Sequence, residues 1–402
     1  MDLNFTYFAE SLILKSKAIM KSFKLFFLFC FWALFLTSCD NNLPDARKED
    51  ETGETGNTVE SDTIDYRALV FVEEGDLQAY GGERVFKNNL EKMFYNTTRF
   101  WNESPNKFKY YFRWIPAGIQ TYKIDGERNK ASYEKQRSVT NDLDYSKYDF
   151  AVFFALRVKH GEGGLSCGGS SKGHKVVWAY IEDGHNIFTD AVYPNQGTYS
   201  NLGHEYGHVR GAQDLYQYMI PAERNKISGQ AYDYPKCNMG TGYMVWSDYC
   251  SSLFNYDALM KQLPDRFDEE VFPEQVVVRV MQNGEPVSRA TVRLWGTRAG
   301  GYFGGPEVYA KEPFLDNRKT NSDGEVVFTK VYEMYNRPTE ISGGKTPPKS
   351  PKDEFPFSRW YCFLVEAEYG NSKGYAWLSD LDIVPDHLNN GNETYELVVN
   401  LK

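Results

Sequence analysis

His204-Glu205-Tyr206-Gly207-His208-Val209-Arg210-Gly211-Ala212-Gln213-Asp214 reads as H-E-x-x-H-x-x-G-x-x-D, and each fixed letter has a chemical job. On an α-helix, His204 and His208 stand one turn apart on one face, so two imidazole nitrogens can meet one metal ion. Glu205 sits beside that pair, where a carboxylate can take a proton from a metal-bound water. Gly211 stops the helix, because glycine readily takes the left-handed conformation of a C-terminal cap. The chain can then turn back and bring Asp214 under the same ion as a third ligand. Two imidazoles, one carboxylate and one open position make the layout of a catalytic zinc site rather than a closed structural one. A surface helix with two solvated histidines is the alternative. With six His in 402 residues the five-residue pattern is already rare by chance, and that alternative gives no reason for Gly and Asp at fixed offsets. One catalytic Zn2+ is the expected cofactor, with Glu205 as the catalytic base.

Outward from the motif, the spacing predicts a helix over residues 199–210, with Ser200 near its start. Upstream, residues 68–72 form a first apolar strand. Residues 85–101 follow with Phe86, Leu90, Met93, Phe94, Thr97 and Trp101 on one side, which is helical spacing. Residues 109–116 and 120–124 look extended. Residues 149–156 (DFAVFFAL) and 175–181 (KVVWAYI) are nearly continuous apolar runs, as buried central strands should be. Between those runs, residues 160–174 are glycine-rich and lack the G-K-[ST] ending of a phosphate loop, so they read as a mobile rim. Cys167 in that rim is a candidate for approach to the metal in a latent state, for a disulfide, or for a free thiol. Downstream, residues 215–236 read as irregular, residues 237–244 (CNMGTGYM) as a tight glycine-bearing turn, and residues 249–263 as a helix.

From Gln275 the pattern changes to short apolar runs separated by Gly-containing turns, with no helical period. The runs lie at residues 276–280, 290–295, 326–328, 361–367, 374–378 and 395–401, and they argue a β-sandwich. A proline-rich stretch, residues 341–357, reads as a long surface loop. The expected fold class is α+β. A catalytic domain of mixed twisted sheet plus active-site helix (66–268) precedes a C-terminal all-β sandwich (269–402).

The N-terminus reads as a targeting signal. Lys21 and Lys24 precede an apolar run over residues 25–36, followed by Thr37-Ser38-Cys39. The run suits a signal peptide and is short for a permanent membrane span. Leu36-Thr37-Ser38-Cys39 resembles a bacterial lipobox, which makes Cys39 the expected lipidation site, Met20 the expected start and residues 1–38 the signal region; an ordinary signal peptide cut nearby is the alternative, and either exports the protein. The protein is then expected to be exported and lipid-anchored to the bacterial outer membrane, at the cell surface or the periplasmic face. Residues 40–62 carry eight acids against Arg47 and Lys48, a balance of −6, with few large apolar residues. Such a stretch cannot bury a core, so residues 39–65 read as a lipidated Cys and flexible acidic tether. The formal charge of −10 argues against a nucleic-acid partner. An exported compartment permits disulfides, and Cys237 with Cys250, flanking a turn-rich stretch, is the preferred pair.

The strand, helix, strand and motif helix together resemble the metzincin clan of zinc metallopeptidases. The Asp variant is similar to the snapalysin group and, in H-E-Y-G-H…G…D-L-Y, to immune inhibitor A of secreted bacterial peptidases. The chain has Val209-Arg210 and Ala212-Gln213 where immune inhibitor A has L-G-L-P wording, so the resemblance is to the clan rather than to one family. It implies zinc ligands His204, His208 and Asp214, a general base Glu205, and a Met-containing turn under the metal. Met239 is the candidate for that turn and Met244 the runner-up. Tyr243, shortly after Met239, is a candidate oxyanion donor, with a packing aromatic as the alternative. The second region looks like transthyretin- or carboxypeptidase-regulatory-like sandwiches through Gly284-Glu285-Pro286-Val287 and Thr320-Asn321-Ser322-Asp323-Gly324.

The expected activity is that of a zinc metalloendopeptidase acting on a protein or peptide substrate, with the lipid anchor on a membrane and the sandwich open to glycan or protein contact. Two other classes compete. One is a non-catalytic adhesin or glycan-binding lipoprotein with a vestigial peptidase domain, which would have no use for the intact Glu205. The other is a zinc hydrolase of a non-peptide amide.

Overall fold

The computed structural model describes residues 63–123, 146–158, 164–169, 175–182, 188, 195–240, 243–258, 269–298, 306–336 and 360–402. The signal region, Cys39, residues 40–62 of the tether and the 341–357 loop lie outside them; the last three tether residues, Thr63, Ile64 and Asp65, are instead the start of a strand, because they pair with a neighbouring strand. The described residues belong to one compact unit, Glu60–Lys402. It is a mixed α and β structure. Among the described residues no helix is long and apolar enough to cross a membrane.

Strand β1 (Thr63–Glu73) is the centre of the first half. Its side chains alternate between two buried faces, as a period of two requires. Ile64, Tyr66, Ala68, Val70 and Val72 enter the main core, and Leu69 and Phe71 enter a smaller cluster behind the sheet. Burial on both faces is why residues 68–72 of the strand are apolar without a break, while Asp65 and Arg67 sit where its other face is open. Helices α1 (Glu74–Ala79) and α2 (Glu83–Glu103) then carry the chain to β2 (Tyr111–Tyr122), a crossover of the kind that parallel pairing demands. The two extended pieces expected here are one strand. Its register on β1 slips between Pro116 and Gly118, a bulge where the proline has no N–H to give to the ladder.

β3 (Phe150–Val158), β4 (Gly164–Gly169) and β5 (Lys175–Glu182) complete a five-stranded sheet in the order β2-β1-β3-β5-β4. The first four strands in that order run parallel, and β4 pairs antiparallel with β5 at the edge. A strand therefore lies inside the glycine-rich segment read as a mobile rim. Glycines at 164, 168 and 169 mask it, since glycine has low strand propensity and here the pairing with β5 supplies the order.

α2 lies on the main-core face of the sheet. Phe86, Leu90, Met93, Phe94 and Trp101 are buried along one side, as the helical spacing predicts. The Trp101 ring meets Trp114 of β2 edge-on at 4.9 Å, and its Nε1 donates to the Gly203 carbonyl at 3.2 Å. That bond ties α2 to α3 (Asn195–Val209), the motif helix. Tyr206, fully buried, wedges its ring between α3 and the sheet, 4.4 Å from Trp114 and 5.3 Å from Phe150. α4 (Asp248–Asp257), starting at the Ser247 cap, follows the turn after the motif.

The second half holds two sheets. One has the order β10-β8-β12-β13, built from β8 (Thr291–Arg298), β10 (Leu315–Lys319), β12 (Cys362–Tyr369) and β13 (Ser372–Ser379), with β9 (Glu307–Val308) on β8. The other has the order β11-β6-β14, from β6 (Gln275–Gln282), β11 (Glu325–Thr329) and β14 (Thr394–Asn400), with β7 (Glu285–Pro286) on β6. The Asn283-Gly284 turn has φ of 53° and 85°, the left-handed pair that a two-residue hairpin favours.

Two helices correct the all-β reading of this half: α5 (Val331–Asn336) and α6 (Asp380–Asn390). α6 is capped by Ser379 and ended by left-handed Gly391, with Pro385 inside it. The two halves share one buried cluster that runs from Ile64 to Leu401.

Candidate metal centre

Helix α3 presents His204 and His208 on one face, with ring centroids 4.8 Å apart and planes nearly perpendicular. Gly211 has φ of 82° and completes a Schellman cap: its N–H donates to the His208 carbonyl and the Ala212 N–H to that of Gly207, both at 3.0 Å. This reversal delivers Asp214 to the histidines. Its Oδ1 is 3.0 Å from His204 Nε2 and 3.2 Å from His208 Nε2. Among the described residues, these three form the group whose ligand atoms converge, all within 4.8 Å of one another.

The outer ring nitrogens explain the orientation. His204 Nδ1 is 2.8 Å from the Asn238 carbonyl, and His208 Nδ1 is 2.9 Å from the Ala212 carbonyl. A carbonyl only accepts, so each Nδ1 carries the proton, and in a neutral ring Nε2 then bears a lone pair. Two inward lone pairs and a carboxylate oxygen at about 3 Å repel one another unless positive charge lies among them. Protons can supply it, and so can a metal ion. Backbone carbonyls behind ligating imidazoles are the usual means of fixing the tautomer that binds metal. The donor set therefore fits a divalent cation.

Charge in the pocket behaves accordingly. Burial lowers the His204 pKa, but the hydrogen bond to Asp214 and the Glu205 and Asp214 charges override it and raise it to about 9. Burial raises the Asp214 pKa, yet hydrogen bonds from His204 and His208 hold its carboxyl well below the usual range. Glu205, 7% exposed, is pushed up by burial, with both imidazoles opposing.

Met239 lies beneath this helix. A Cβ on Gly207 would sit 2.2 Å from Met239 Sδ, so the helix accepts glycine, which costs about 1 kcal/mol against alanine, to let the methionine approach. The Met239 carbonyl accepts from Leu215 N–H at 2.8 Å, joining the turn to the residue after Asp214. Met239, the candidate for the Met-containing turn, is thus packed against the motif helix at Gly207, whereas Met244 is 45% exposed. Tyr243 is 36% exposed, with the Lys236 ammonium 5.6 Å over its ring.

Cys237 and Cys250 are buried free thiols with sulfurs 3.3 Å apart. The pair expected from sequence is adjacent but unbonded. Burial opposes ionisation of Cys237, but its hydrogen bonds with Cys250 and Ser247 pull its pKa down, while burial pushes Cys250 up. Cys167 is a free, half-buried thiol of β4. Burial and the nearby Glu205 charge push its pKa up.

Asn238 was not singled out from sequence. Its carbonyl holds His204, and its side chain is pinned by Ser200, whose hydroxyl donates to Oδ1 at 2.8 Å and whose carbonyl accepts from Nδ2 at 3.1 Å. Its place directly before Met239 in a glycine-bearing turn was the readable signal. Ala212 acts through its backbone alone and left no signal in its side chain.

No family model and no curated protein matches the chain. Among solved structures, one titled "Structure of a chaperone-substrate complex" aligns at 17% identity and a TM-score of 0.33, covering 51% of this chain and 35% of its own. A likeness at that level carries no argument about fold or function.

Proposed function

We propose that the protein is a zinc-dependent endopeptidase of metzincin-like architecture, followed by a β-sandwich-like accessory region and held at a membrane through lipidated Cys39. The observation that carries the reading is the convergence of His204 Nε2, His208 Nε2 and Asp214 Oδ1 beside a buried Glu205. The nitrogen-to-oxygen distances of 3.0 and 3.2 Å are close to the edge, about 3.3 Å, of a tetrahedron with ligand bonds of about 2.0–2.1 Å. Two imidazoles with one carboxylate leave a coordination position for water or substrate. The mixed sheet with a motif helix against it supports the catalytic-domain architecture, and the two C-terminal sheets sharing one core support the sandwich.

Zinc bound there would polarise the scissile carbonyl and acidify the attacking water. Glu205 takes the proton of that water and passes it to the leaving amine. Its burial would strengthen the carboxylate's hydrogen bond to water, since little bulk solvent competes. His204 and His208 are held in the ligating tautomer by the Asn238 and Ala212 carbonyls. Asp214 lowers the net charge of the centre relative to a third imidazole and fixes the inward direction of both rings.

The test begins with elemental analysis of the purified chain and a casein digest. One zinc per chain, cleavage abolished by chelation and restored by zinc, and a rate about 100- to 10,000-fold lower in Glu205→Gln are the expected results. Bound zinc without cleavage of any peptide would favour a hydrolase of a non-peptide amide. Absence of bound metal from the purified chain would favour an adhesin.

A further inference from the structure

The segment that supplies the third ligand is built on the C-terminal half. After Asp214, residues Leu215–Tyr218 form one tight helical turn. At its far end the buried Tyr218 hydroxyl donates to Asp380 Oδ2 at 2.9 Å. Asp380, 2% exposed, is the first residue of α6, held in place by the Ser379 cap. The Tyr218 ring also meets Tyr361 edge-on at 5.3 Å.

The contacts continue down the chain. Ile220 packs in a buried cluster with Val308 and Cys362. Tyr232 lies 5.2 Å from Trp377, whose Nε1 donates to the Ala231 carbonyl at 3.2 Å. The Ile220 and Tyr232 backbones bond to each other at 2.8 and 2.9 Å, closing the segment into a strap laid against the sheet of β8, β12 and β13.

Asp214 thus has two anchors. Gly211 and the Leu215–Met239 bond hold its near side through the motif helix and the turn beneath it. Tyr218 holds its far side through Asp380, which is 162 positions further along the chain than Tyr218. A buried hydroxyl-to-carboxyl hydrogen bond is directional, and only three residues in a tight turn separate Tyr218 from Asp214. We infer that Asp380 is a positioning residue of the metal centre, acting through Tyr218 to fix Asp214, so that the site is incomplete without the C-terminal half.

This inference rests on the zinc reading above, and the experiment separates the two. Zinc dissociation constants are measured on the full chain by competition with a chromophoric chelator, together with the visible spectrum of the cobalt-substituted protein and the Tm of the chelated protein. Tyr218→Phe removes the donor, and its dissociation constant is expected to rise about 10-fold, with an altered cobalt spectrum. Asp380→Asn keeps an oxygen acceptor and is expected to retain wild-type affinity and spectrum.

Should Tyr218→Phe alone not fold, the double variant Tyr218→Phe/Asp380→Leu leaves no polar atom of the pair unsatisfied and is expected to show the same loss. Wild-type affinity and spectrum in the variants lacking the bond overturn the inference, even if the Tm of the chelated protein falls, since that is the signature of a merely structural contact. So does an Asp380→Asn that binds as weakly as they do. A wild type that binds no zinc overturns the zinc reading itself, and this inference with it.

Discussion

Two polar clusters in this molecule are built on opposite terms. On the face of the C-terminal sheet, Arg293 pairs with Asp316 at 2.9 Å and Glu368 at 2.8 Å, while Lys373 pairs with Glu366 at 3.0 Å. Trp295 Nε1 also donates to the buried Glu366. Each carboxylate there has a cation beside it, so the cluster is complete as it stands. At the motif helix, two carboxylates lie with two imidazoles whose outer nitrogens are already committed to backbone carbonyls. That cluster needs positive charge to be stable. A ligand site differs from a structural ion network in what it lacks, and the hydrogen bonds behind the side chains reveal the lack.

The contrast can be broken most forcefully at Asp214. Asp214→Asn keeps the shape and removes the charge, and zinc affinity should fall by more than about 100-fold, beyond the range of supporting residues. A competition titration checks this. Unchanged affinity would place the negative charge of the centre elsewhere.

Gly207→Ala tests the packing beneath the site. The new methyl would have to displace the Met239 sulfur, and overpacking of this kind should cost about 1–3 kcal/mol, read from the urea midpoint. The same change on a solvent-facing helix position would stabilise.

A third test uses pH on the chelated protein. The folded His204 pKa is raised to about 9 from an ordinary 6.5, so its contribution to stability is full below 6.5 and is lost as pH rises through 9. Asp214 is depressed from 3.8, so its contribution is present above 3.8 and is lost as pH falls below that. The Tm of the chelated protein should therefore be higher at pH 5.5 than at pH 9. Saturating zinc should reverse the alkaline loss, since metal replaces the protons. Equal Tm values at the two pH values without metal would remove the proton-bridged description of the metal-free site.

The smallest effect belongs to the complete cluster. Lys373→Ala removes a half-exposed cation and should cost less than about 1 kcal/mol in a denaturant titration, because exposure screens the pair. A loss comparable with that of Gly207→Ala would show that the network is less self-sufficient than its geometry implies.

The candidate site was legible because its parts are local. One helical turn sets the distance between His204 and His208, and one glycine reversal sets the approach of Asp214. The alternation and apolar runs of β1, β3 and β5 were legible for the same reason. Strand β4 was hidden because its order comes from its neighbour β5 rather than from its own glycine-rich sequence. Helix α6 was hidden by Pro385, which breaks the periodic reading, although Ser379 and Gly391 are recognisable cap residues. The clamp of Tyr218 on Asp380 could not be read at all, since no local rule relates side chains 162 residues apart.

The close seat of the buried Met239 against Gly207 also decides what its oxidation would do. A thioether tolerates the contact because sulfur is soft and carries no bound oxygen. Oxidation to the sulfoxide would add a polar atom in a space where even a methyl group does not fit. The turn would have to move, and with it the Asn238 carbonyl that steers His204. Oxidative damage at this one residue would therefore disturb the candidate site from beneath while leaving His204, His208 and Asp214 chemically intact.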